Sequence, residues 1–508
     1  MAATEPPSQP TPSPNNPEPP STGRQAAWNY LVFALSKSST LLMTVVVARI
    51  LDPTEFGLFA LALLVVNLFE YVKDLGVGAA LVQNRRDWST LAPTGLTLSV
   101  VFGLVASALL AATADLTAGA LKHPELAPMI RVLAIALALS ALSTVPAAWL
   151  RRSMNFRARI LPEFAGAIAK TGITIGLAFA GFGVWSLVYG QLAAVAVITP
   201  LYWLAARSAP RLGFDRAAGS ELIRFGIPVT AVTLLAYAIY NVDYLAVGTR
   251  LGADDLGLYT LAYRLPELLV LNLCVVVSDV LFSALSGLQH DRDGLGRHYL
   301  QALPVVMALT APIGIGMAVA AGPLVQTLYG DQYAGSAPIL VVLALYTVIY
   351  SASFHAGDVF KAIGRPGVLT AVSAAKLLVV IGPIWWAAGY NAVLVAWALL
   401  ATEVVHFIIR MAALHRVMTF RWSDLVRALF GPVLAAAGMG LGTWGLSRVT
   451  AGLVAPVELA LLAVAGAVLY LALLRLTAPQ LFAAGFRLVR SRLGAPQATA
   501  PAKPKEGS

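Results

Sequence analysis

The segments LDPTEFGLFALA (Leu51–Ala62) and LGADDLGLYTLA (Leu251–Ala262) repeat one pattern 200 residues apart. A leucine, a Gly-Leu pair and a Leu-Ala pair stand at the same positions in both segments. Each segment places a short polar turn between two long apolar stretches. The chain therefore contains a duplicated unit of membrane-spanning helices. Such repeats are typical of transporters, whose two halves move about a site between them.

The composition is that of a membrane protein. Hydrophobic residues make up 58% of the chain and charged residues only 12%, against roughly 25% charge in ordinary soluble domains. The mean hydropathy is +0.76. The single cysteine, Cys274, lies in an apolar run, which excludes an internal disulfide and a thiolate metal site. The N-terminus shows no basic segment followed by an apolar core, so we expect no cleaved signal peptide.

The lengths of the apolar runs predict an all-α polytopic membrane protein with about fourteen spans of roughly 20 residues. The first predicted span covers residues 28–48. Two six-helix bundles are expected, followed by two extra C-terminal helices. The predicted units are a disordered cytoplasmic N-terminus (1–25), the first bundle (26–206), a basic cytoplasmic linker (207–225), the second bundle (226–412), the two additional helices (413–475) and a basic, partly disordered cytoplasmic tail (476–508).

Lysine and arginine are concentrated in alternate loops. One set of loops contains clusters such as the four arginines within 151–159, whereas the other set has little beyond Arg49, Lys122, Arg250 and Arg448. Because cytoplasmic loops carry the excess of positive charge, both termini are predicted to be cytoplasmic. An even number of spans in each half makes the bundles parallel repeats. The net charge of +10 is thus a topology signal, and we expect no nucleic acid as partner.

The loops on the side opposite the basic clusters are all short, which leaves no obvious platform for a catalytic site. The chain also contains no G-x-x-x-x-G-K-[ST] phosphate-binding loop. We therefore expect neither enzyme activity nor a cofactor. A membrane glycan polymerase or ligase is the less favoured alternative from another functional class.

Three motifs resemble a known family: the duplicated turn, DLGVGAALVQ (Asp74–Gln83) and NVDYLAVGTRLG (Asn241–Gly252). They resemble the polysaccharide transporters, or Wzx-type oligosaccharide flippases, of the multidrug/oligosaccharidyl-lipid/polysaccharide (MOP) exporter superfamily. The resemblance implies two six-helix bundles arranged in a V around a central cavity. It also implies movement of undecaprenyl-pyrophosphate-linked oligosaccharide to the outer leaflet of a bacterial inner membrane, for the synthesis of surface polysaccharide.

The resemblance also implies a transport mechanism and a set of partners. Transport is expected to proceed by alternating access coupled to an ion gradient, with membrane lipid, glycosyltransferases and a polysaccharide polymerase as partners. A multidrug/cation antiporter and a lipid II flippase of the same superfamily are the alternatives. Cationic drugs require acidic and apolar cavity walls, and the basic residues inside the predicted spans argue against such a cavity.

Four basic residues lie inside predicted spans: Lys37, Lys170, Arg264 and Lys376. A charged side chain in the middle of a bilayer costs at least about 2.5–3.5 kcal/mol on insertion scales, so each requires a reason. Convergence of these cations on one cavity suits the pyrophosphate of an anionic substrate. The alternative interpretation is that they are structural charges with partners inside the protein.

Seven polar residues are candidates for binding a coupling ion or for gating: Asp243, Asn241, Glu70, Asp74, Glu267, Glu403 and His406. Asp243 stands beside Asn241 with no cation one turn away, and the family resemblance implies a coupling role for an acidic residue in this span. Asp243 is therefore the candidate site for Na⁺ or a proton.

The other acidic candidates have neighbours at helical spacing. Glu70 and Asp74 lie one turn apart beside Lys73, which also fits an interfacial charge cluster. Glu267 follows Arg264 by three residues, a spacing that equally allows an ion pair. Glu403 and His406 have the same spacing and either share the Asp243 site or pair with each other. A similar pair, His355 and Asp358, is expected near the inner end of its span.

Overall fold

The computed structural model describes residues 36–207, 210–288 and 291–493. Every regular element within these ranges is helical. The N-terminal unit predicted to be disordered (1–25) and the last residues of the predicted tail lie outside the described residues. Asp215 accepts a hydrogen bond from Ala218 N at 2.7 Å, so the basic segment predicted as a linker is already helical from Arg216.

The first half of the chain consists of helices α1 to α9. Helix α2 begins at Pro53 because Asp52 and Glu55 form a capping box, in which each side chain accepts a hydrogen bond from the other residue's backbone. The bounds are α1 (Ser36–Ala48), α2 (Pro53–Val72), α3 (Val77–Gln83), α4 (Trp88–Ala112), α5 (Ala114–Ala120), α6 (Leu126–Leu142), α7 (Thr144–Arg152), α8 (Phe156–Phe179) and α9 (Val184–Ala206).

The second half repeats the same order of helices. A long helix followed by a short one occurs as α4 and α5 and again as α13 and α14. The interrupted span α6–α7, bent by 41°, has its counterpart in α15–α16. The bounds are α10 (Arg216–Arg250), α11 (Ala253–Pro266), a π-helical turn (Glu267–Leu271), α12 (Asn272–Ser286), α13 (Arg292–Val319), α14 (Ala321–Leu328), a 3₁₀ turn (Asp331–Tyr333), α15 (Ser336–Phe354), α16 (Ala356–Ala362), α17 (Pro366–Ala387) and α18 (Ala392–His415).

Three more helices follow the duplicated region: α19 (Trp422–Thr450), α20 (Ala455–Thr477) and α21 (Pro479–Leu493). Helix α19 packs against α13, and α20 packs against α19 and α14. The two additional membrane helices are thus attached to the second half. The predicted tail begins as a helix, because α21 covers residues 479–493.

The described residues contain 12 helices that are long and apolar enough to cross a membrane, or 13 if the bent pair α6–α7 is one span. The predicted architecture of two helical bundles plus two extra helices is confirmed. The predicted count of fourteen spans is not. The first predicted span, 28–48, is described only from Ser36, where it forms a shorter apolar helix.

The end of the molecule that carries the duplicated turns is here called the turn side, and the opposite end, with the arginine-rich loops, the basic side. The two halves are in contact at both ends, through Gly57 and Gly257 on the turn side and through Gly76 and Gly226 on the basic side. Helices α2 and α11 pack directly against each other. A Cβ atom on Gly57 would overlap the backbone of Ala253, and one on Gly257 would overlap the backbone of Pro53. Glycine therefore permits this backbone-to-backbone contact at both symmetry-related positions.

Hydrogen bonds between the halves add to the α2–α11 contact on the turn side. This closed contact between the halves is here called the seal. Arg49 donates to the carbonyl oxygens of Thr327 and of Leu328, the latter at 3.2 Å. In return, Gln332 donates to Ala48 O at 2.6 Å and Tyr333 donates to Leu51 O at 2.9 Å. The free carbonyl groups at the ends of α1 and α14 are thus satisfied by side chains of the opposite half.

Candidate functional site

A central cavity of about 300 Å³ lies between the two halves. Helices α1, α2, α8 and α9 of the first half and α10 and α11 of the second half form its walls. Phe56 and Phe59 line it close to the turn side, next to the contact between the halves. Its polar lining consists of Thr44, Asn67, Lys170, Asn241, Thr260, Arg264 and Glu267.

Lys170 lies near the middle of α8 and faces this cavity. Its ammonium group donates to Oε1 of Gln191, on the neighbouring helix α9, at 2.7 Å. Within the described residues no carboxylate lies at ion-pair distance from Lys170. The partner is a neutral amide and leaves the positive charge uncompensated. An ammonium group has three donors, so two remain for another ligand.

Arg264 and Glu267 enter the same cavity from α11 and the π-helical turn that follows it. Their side chains form an ion pair of 3.1 Å, as their spacing allows. Pro266, which has no N–H for the helix ladder, stands at the junction where the π-helical turn begins. With Lys170, the cavity contains two basic side chains and one acidic side chain.

Asn241 lines the central cavity from α10, but Asp243 does not. Asp243 is only 3% exposed and accepts a hydrogen bond from the hydroxyl of Tyr259 at 2.8 Å. This contact joins α10 to α11 behind the cavity wall. Among the described residues no group of three or more His, Cys, Asp or Glu side chains is placed to hold a metal ion.

Lys376 lies in a different place, in a pocket of about 240 Å³ within the second half; this second-half pocket is bounded by α10, α15, α16, α17 and α18. Its ammonium group forms a buried ion pair of 2.6 Å with Glu403. Three aromatic rings surround it at 5.6–6.0 Å: Tyr240, Tyr346 and Tyr350. Lys170 and Lys376 therefore do not converge on one cavity, contrary to the expectation that the basic residues of the spans share one cavity.

Glu403 also faces His406, whose Nδ1 lies 3.5 Å from Oε1 of the carboxylate. The two residues thus share a contact with each other rather than with Asp243. Arg410, on the same face of α18, also lines this pocket, although it is not among the candidate residues of the sequence analysis. Its position four residues after His406 is the signal that places it on that face.

The remaining predicted residues lie away from the central cavity. Lys73 donates to Glu70 and, at 2.6 Å, to Ser140 on α6. Asp74 accepts backbone hydrogen bonds from Gly76 and Gly78, both at 3.1 Å, and so holds the turn that begins α3. Lys37 lies half-buried in the first described turn of α1 and lines neither pocket.

Sequence comparisons place the chain in a family of polysaccharide biosynthesis proteins. A family model described as "Polysaccharide biosynthesis protein" matches residues 46–338. The lipopolysaccharide biosynthesis protein WzxC of Escherichia coli (strain K12) is 27% identical over 347 residues, 67% of this chain and 70% of WzxC. The succinoglycan biosynthesis transport protein ExoT of Rhizobium meliloti (strain 1021) is 28% identical over 357 residues, 68% of this chain and 70% of ExoT.

Two solved structures share the fold of this chain. The lipid II flippase MurJ in an inward closed conformation aligns with a TM-score of 0.72 at 14% identity, covering 89% of this chain and 98% of MurJ. A multidrug resistance MATE family transporter of the MOP superfamily, in an inward-facing conformation, aligns with a TM-score of 0.60 at 16% identity, covering 75% of this chain and 95% of the transporter.

Proposed function

Because the chain belongs to the polysaccharide biosynthesis protein family, we propose that it moves undecaprenyl-pyrophosphate-linked oligosaccharide from the cytoplasmic to the outer leaflet of a bacterial inner membrane. The chain is a multi-pass membrane transporter of the MOP superfamily and not an enzyme. The specific substrate is our inference. Glycosyltransferases that build the lipid-linked glycan and a polymerase that uses it are the partners that this function requires.

The observation that carries the proposal is the uncompensated charge of Lys170 in the central cavity. Its ammonium and the guanidinium of Arg264 line one cavity from opposite halves. Phosphate groups accept charge-assisted hydrogen bonds from both types of side chain, and arginine can bind them with two parallel bonds. A pyrophosphate between these residues would contact both halves, so its binding and release would follow their movement.

The polar residues around these cations suit the sugar part of the substrate. Thr44, Asn67, Asn241 and Thr260 supply hydroxyl and amide groups that both donate and accept hydrogen bonds. The prenyl tail would stay in the lipid, since a carrier chain has no polar groups to place in this cavity. The cavity therefore holds the charged and polar head of the substrate only.

Alternating access requires the seal on the turn side to open. The excess of lysine and arginine on the basic side supports an orientation with both termini in the cytoplasm and the turn side facing outward. In the conformation described here the halves are in contact on the turn side, through Gly57 and Gly257. Separation of this contact would release the head group to the outer leaflet.

Asp243 is the residue that we propose to couple transport to an ion. Its carboxylate links α10 to α11 through Tyr259, and α10 and α11 both line the central cavity. A proton on Asp243 would weaken its acceptance of the tyrosine hydrogen bond and so change the contact between these helices. Among the described residues Asp243 belongs to no group of three or more His, Cys, Asp or Glu side chains that could hold a metal ion, so we favour a proton over Na⁺ as the coupling ion.

The charge of the cavity also separates this function from its alternatives. A cavity with two bases and one acid repels the cationic substrates of a multidrug antiporter. A lipid II flippase has a substrate with the same pyrophosphate, but the family match and the named relatives concern polysaccharide synthesis.

The proposal is tested with purified protein in liposomes that contain undecaprenyl-pyrophosphate-linked oligosaccharide. A membrane-impermeant lectin measures the fraction of glycan that crosses to the outer surface. Wild-type protein is expected to expose the inner pool, and Lys170→Gln to leave it inside. Arg131→Gln is the matched control, because Arg131 pairs with Asp115 at the protein surface. Equal transport by Lys170→Gln and the control would contradict the proposal.

A further inference from the structure

Arg410 is a buried cation without an anionic partner. Its side chain belongs to a residue that is only 7% exposed, and among the described residues no carboxylate lies at ion-pair distance from it. Its Nη1 donates to the hydroxyl of Ser353 at 3.2 Å, and its guanidinium lies 5.9 Å from the ring of Tyr350. A buried charge is costly unless it is paired. The protein groups around Arg410 do not provide that pair.

One edge of the Arg410 guanidinium, formed by Nε and Nη2, makes no hydrogen bond within the described chain. The Nε atom is buried and has no hydrogen-bond partner within the described chain, and Nη2 makes none there either. Together Nε and Nη2 form the edge of the guanidinium that binds two oxygen atoms of one oxyanion in parallel. A chloride ion has only one acceptor atom and therefore cannot form two parallel hydrogen bonds with this edge.

The other charges of the second-half pocket compensate one another. Lys376 is paired with Glu403. Asp358, which is buried, accepts from Ser278 at 2.7 Å, contacts His355 at 3.1 Å and contacts Lys361 at 3.3 Å. With neutral imidazoles, the Lys376–Glu403 and Lys361–Asp358 pairs each have no net charge. The pocket then has one net positive charge, that of Arg410. The pocket therefore favours an anion.

The pocket also has room and access for such a ligand. Its volume of about 240 Å³ exceeds that of several water molecules at about 30 Å³ each. His406, 2% exposed, lines it beside Arg410, and its Nε2 has no hydrogen-bond partner in the described chain. Lys361, whose side chain is half-exposed, stands at the end of the pocket toward the basic side.

We propose that the second-half pocket binds a phosphate group through the Nε–Nη2 edge of Arg410 and Nε2 of His406. The site is separate from the central cavity and does not depend on the substrate carried there. A phosphate hydroxyl can donate to the imidazole, or a doubly protonated imidazole can donate to a phosphate oxygen. The same chemistry is present in free phosphate and in the headgroup of an anionic lipid.

Native mass spectrometry of the full-length protein tests this site. The protein is released from phosphatidylcholine nanodiscs with either inorganic phosphate or phosphatidic acid added, because the two adducts differ in mass. Arg410→Gln is expected to lower the affinity for the added phosphate or phosphatidic acid at least about ten-fold. Arg416 is an exposed arginine at the C-cap of the same helix, so Arg416→Gln is the matched control and is expected to bind as wild type does.

Arg410→Lys keeps the charge but removes the fork-shaped edge, which makes it the second variant should Arg410→Gln fail to fold. It is expected to weaken the adduct while leaving binding of chloride unchanged. Selective loss of the phosphate adduct identifies free phosphate as the ligand, and selective loss of the lipid adduct identifies the headgroup. Equal adducts in wild type, Arg410→Lys and Arg410→Gln would overturn the proposal.

Discussion

Gly57 and Gly257 make the same contact from opposite halves of the protein. Gly57 of α2 lies against the backbone of Ala253, and Gly257 of α11 lies against the backbone of Pro53. Each glycine thus packs on the first residue of the helix that carries the other glycine. The sequence repeat is therefore also a repeat of contacts, centred on the seal between the two halves.

Gly57→Ala is expected to weaken this seal, because its Cβ would overlap the Ala253 backbone. The expected result is faster labelling, by a membrane-impermeant maleimide added on the turn side, of a cysteine placed at Thr260 in the central cavity. Gly176→Ala in α8 is the matched control, since no atom lies within 4 Å of its added Cβ. That control is expected to be neutral or stabilising by up to about 1 kcal/mol. Identical labelling in the two variants would argue against the seal.

Arg264 and Glu267 are expected to have opposite effects on binding of undecaprenyl pyrophosphate. Arg264→Gln removes a charged donor from the central cavity, and loss of one charged hydrogen bond corresponds to about 1.5–3 kcal/mol, or at least ten-fold in affinity. Glu267→Gln removes the single acid of the lining and is expected to strengthen binding. Titration of the lipid into purified protein measures both. Weaker binding in Glu267→Gln would show that the ion pair itself, and not the free arginine, is needed.

Lys376 is expected to be required for folding rather than for substrate binding. Lys376→Met leaves Glu403 buried without its partner, which costs about 3–5 kcal/mol. The amount of folded protein in membranes should fall, and the double variant Lys376→Met/Glu403→Leu should restore it. Fluorescence-detected size-exclusion chromatography measures this amount. A well-folded single variant that no longer transports would instead assign Lys376 to the substrate.

Asp243→Asn is expected to separate transport from its driving force. The amide can still accept the hydrogen bond from Tyr259, so the contact between α10 and α11 persists, but it cannot exchange a proton at neutral pH. Lectin-detected transport in liposomes with and without an imposed pH gradient is the measurement. Wild type is expected to respond to the gradient, and Asp243→Asn to transport at a gradient-independent rate. A full response in Asp243→Asn would exclude this residue as the coupling site.

The sequence predicted the helices and their duplication because both depend on local patterns. Runs of about 20 apolar residues define the spans, and the repeated turns at Leu51 and Leu251 define the two halves. The ion pair between Arg264 and Glu267 and the contact between Glu403 and His406 were also anticipated, since residues three apart share a helix face.

The distribution of charges between the two pockets was not predictable from the sequence. Lys170 lies on α8 and Lys376 on α17, which hold the same place in the order of helices of the two halves, yet one contacts Gln191 and the other Glu403. The rotation of each helix decides which pocket a side chain enters, and in an apolar helix the hydropathy pattern does not fix that rotation. Arg410 was missed for a related reason, because its closeness to the basic loops concealed its burial.

The central claim, that Lys170 holds the phosphate of a lipid-linked glycan during transport, is tested most directly in cells. In a strain that lacks the native transporter, the lipid-linked oligosaccharide is extracted and its mass is determined by mass spectrometry. The leaflet in which it lies is determined by labelling intact cells with a membrane-impermeant reagent. Lys170→Gln, at wild-type protein levels, is expected to leave undecaprenyl-pyrophosphate-linked oligosaccharide on the cytoplasmic leaflet with surface polysaccharide lost. The wild-type gene is expected to clear that pool. An outer-leaflet pool and normal polysaccharide in Lys170→Gln would contradict the claim.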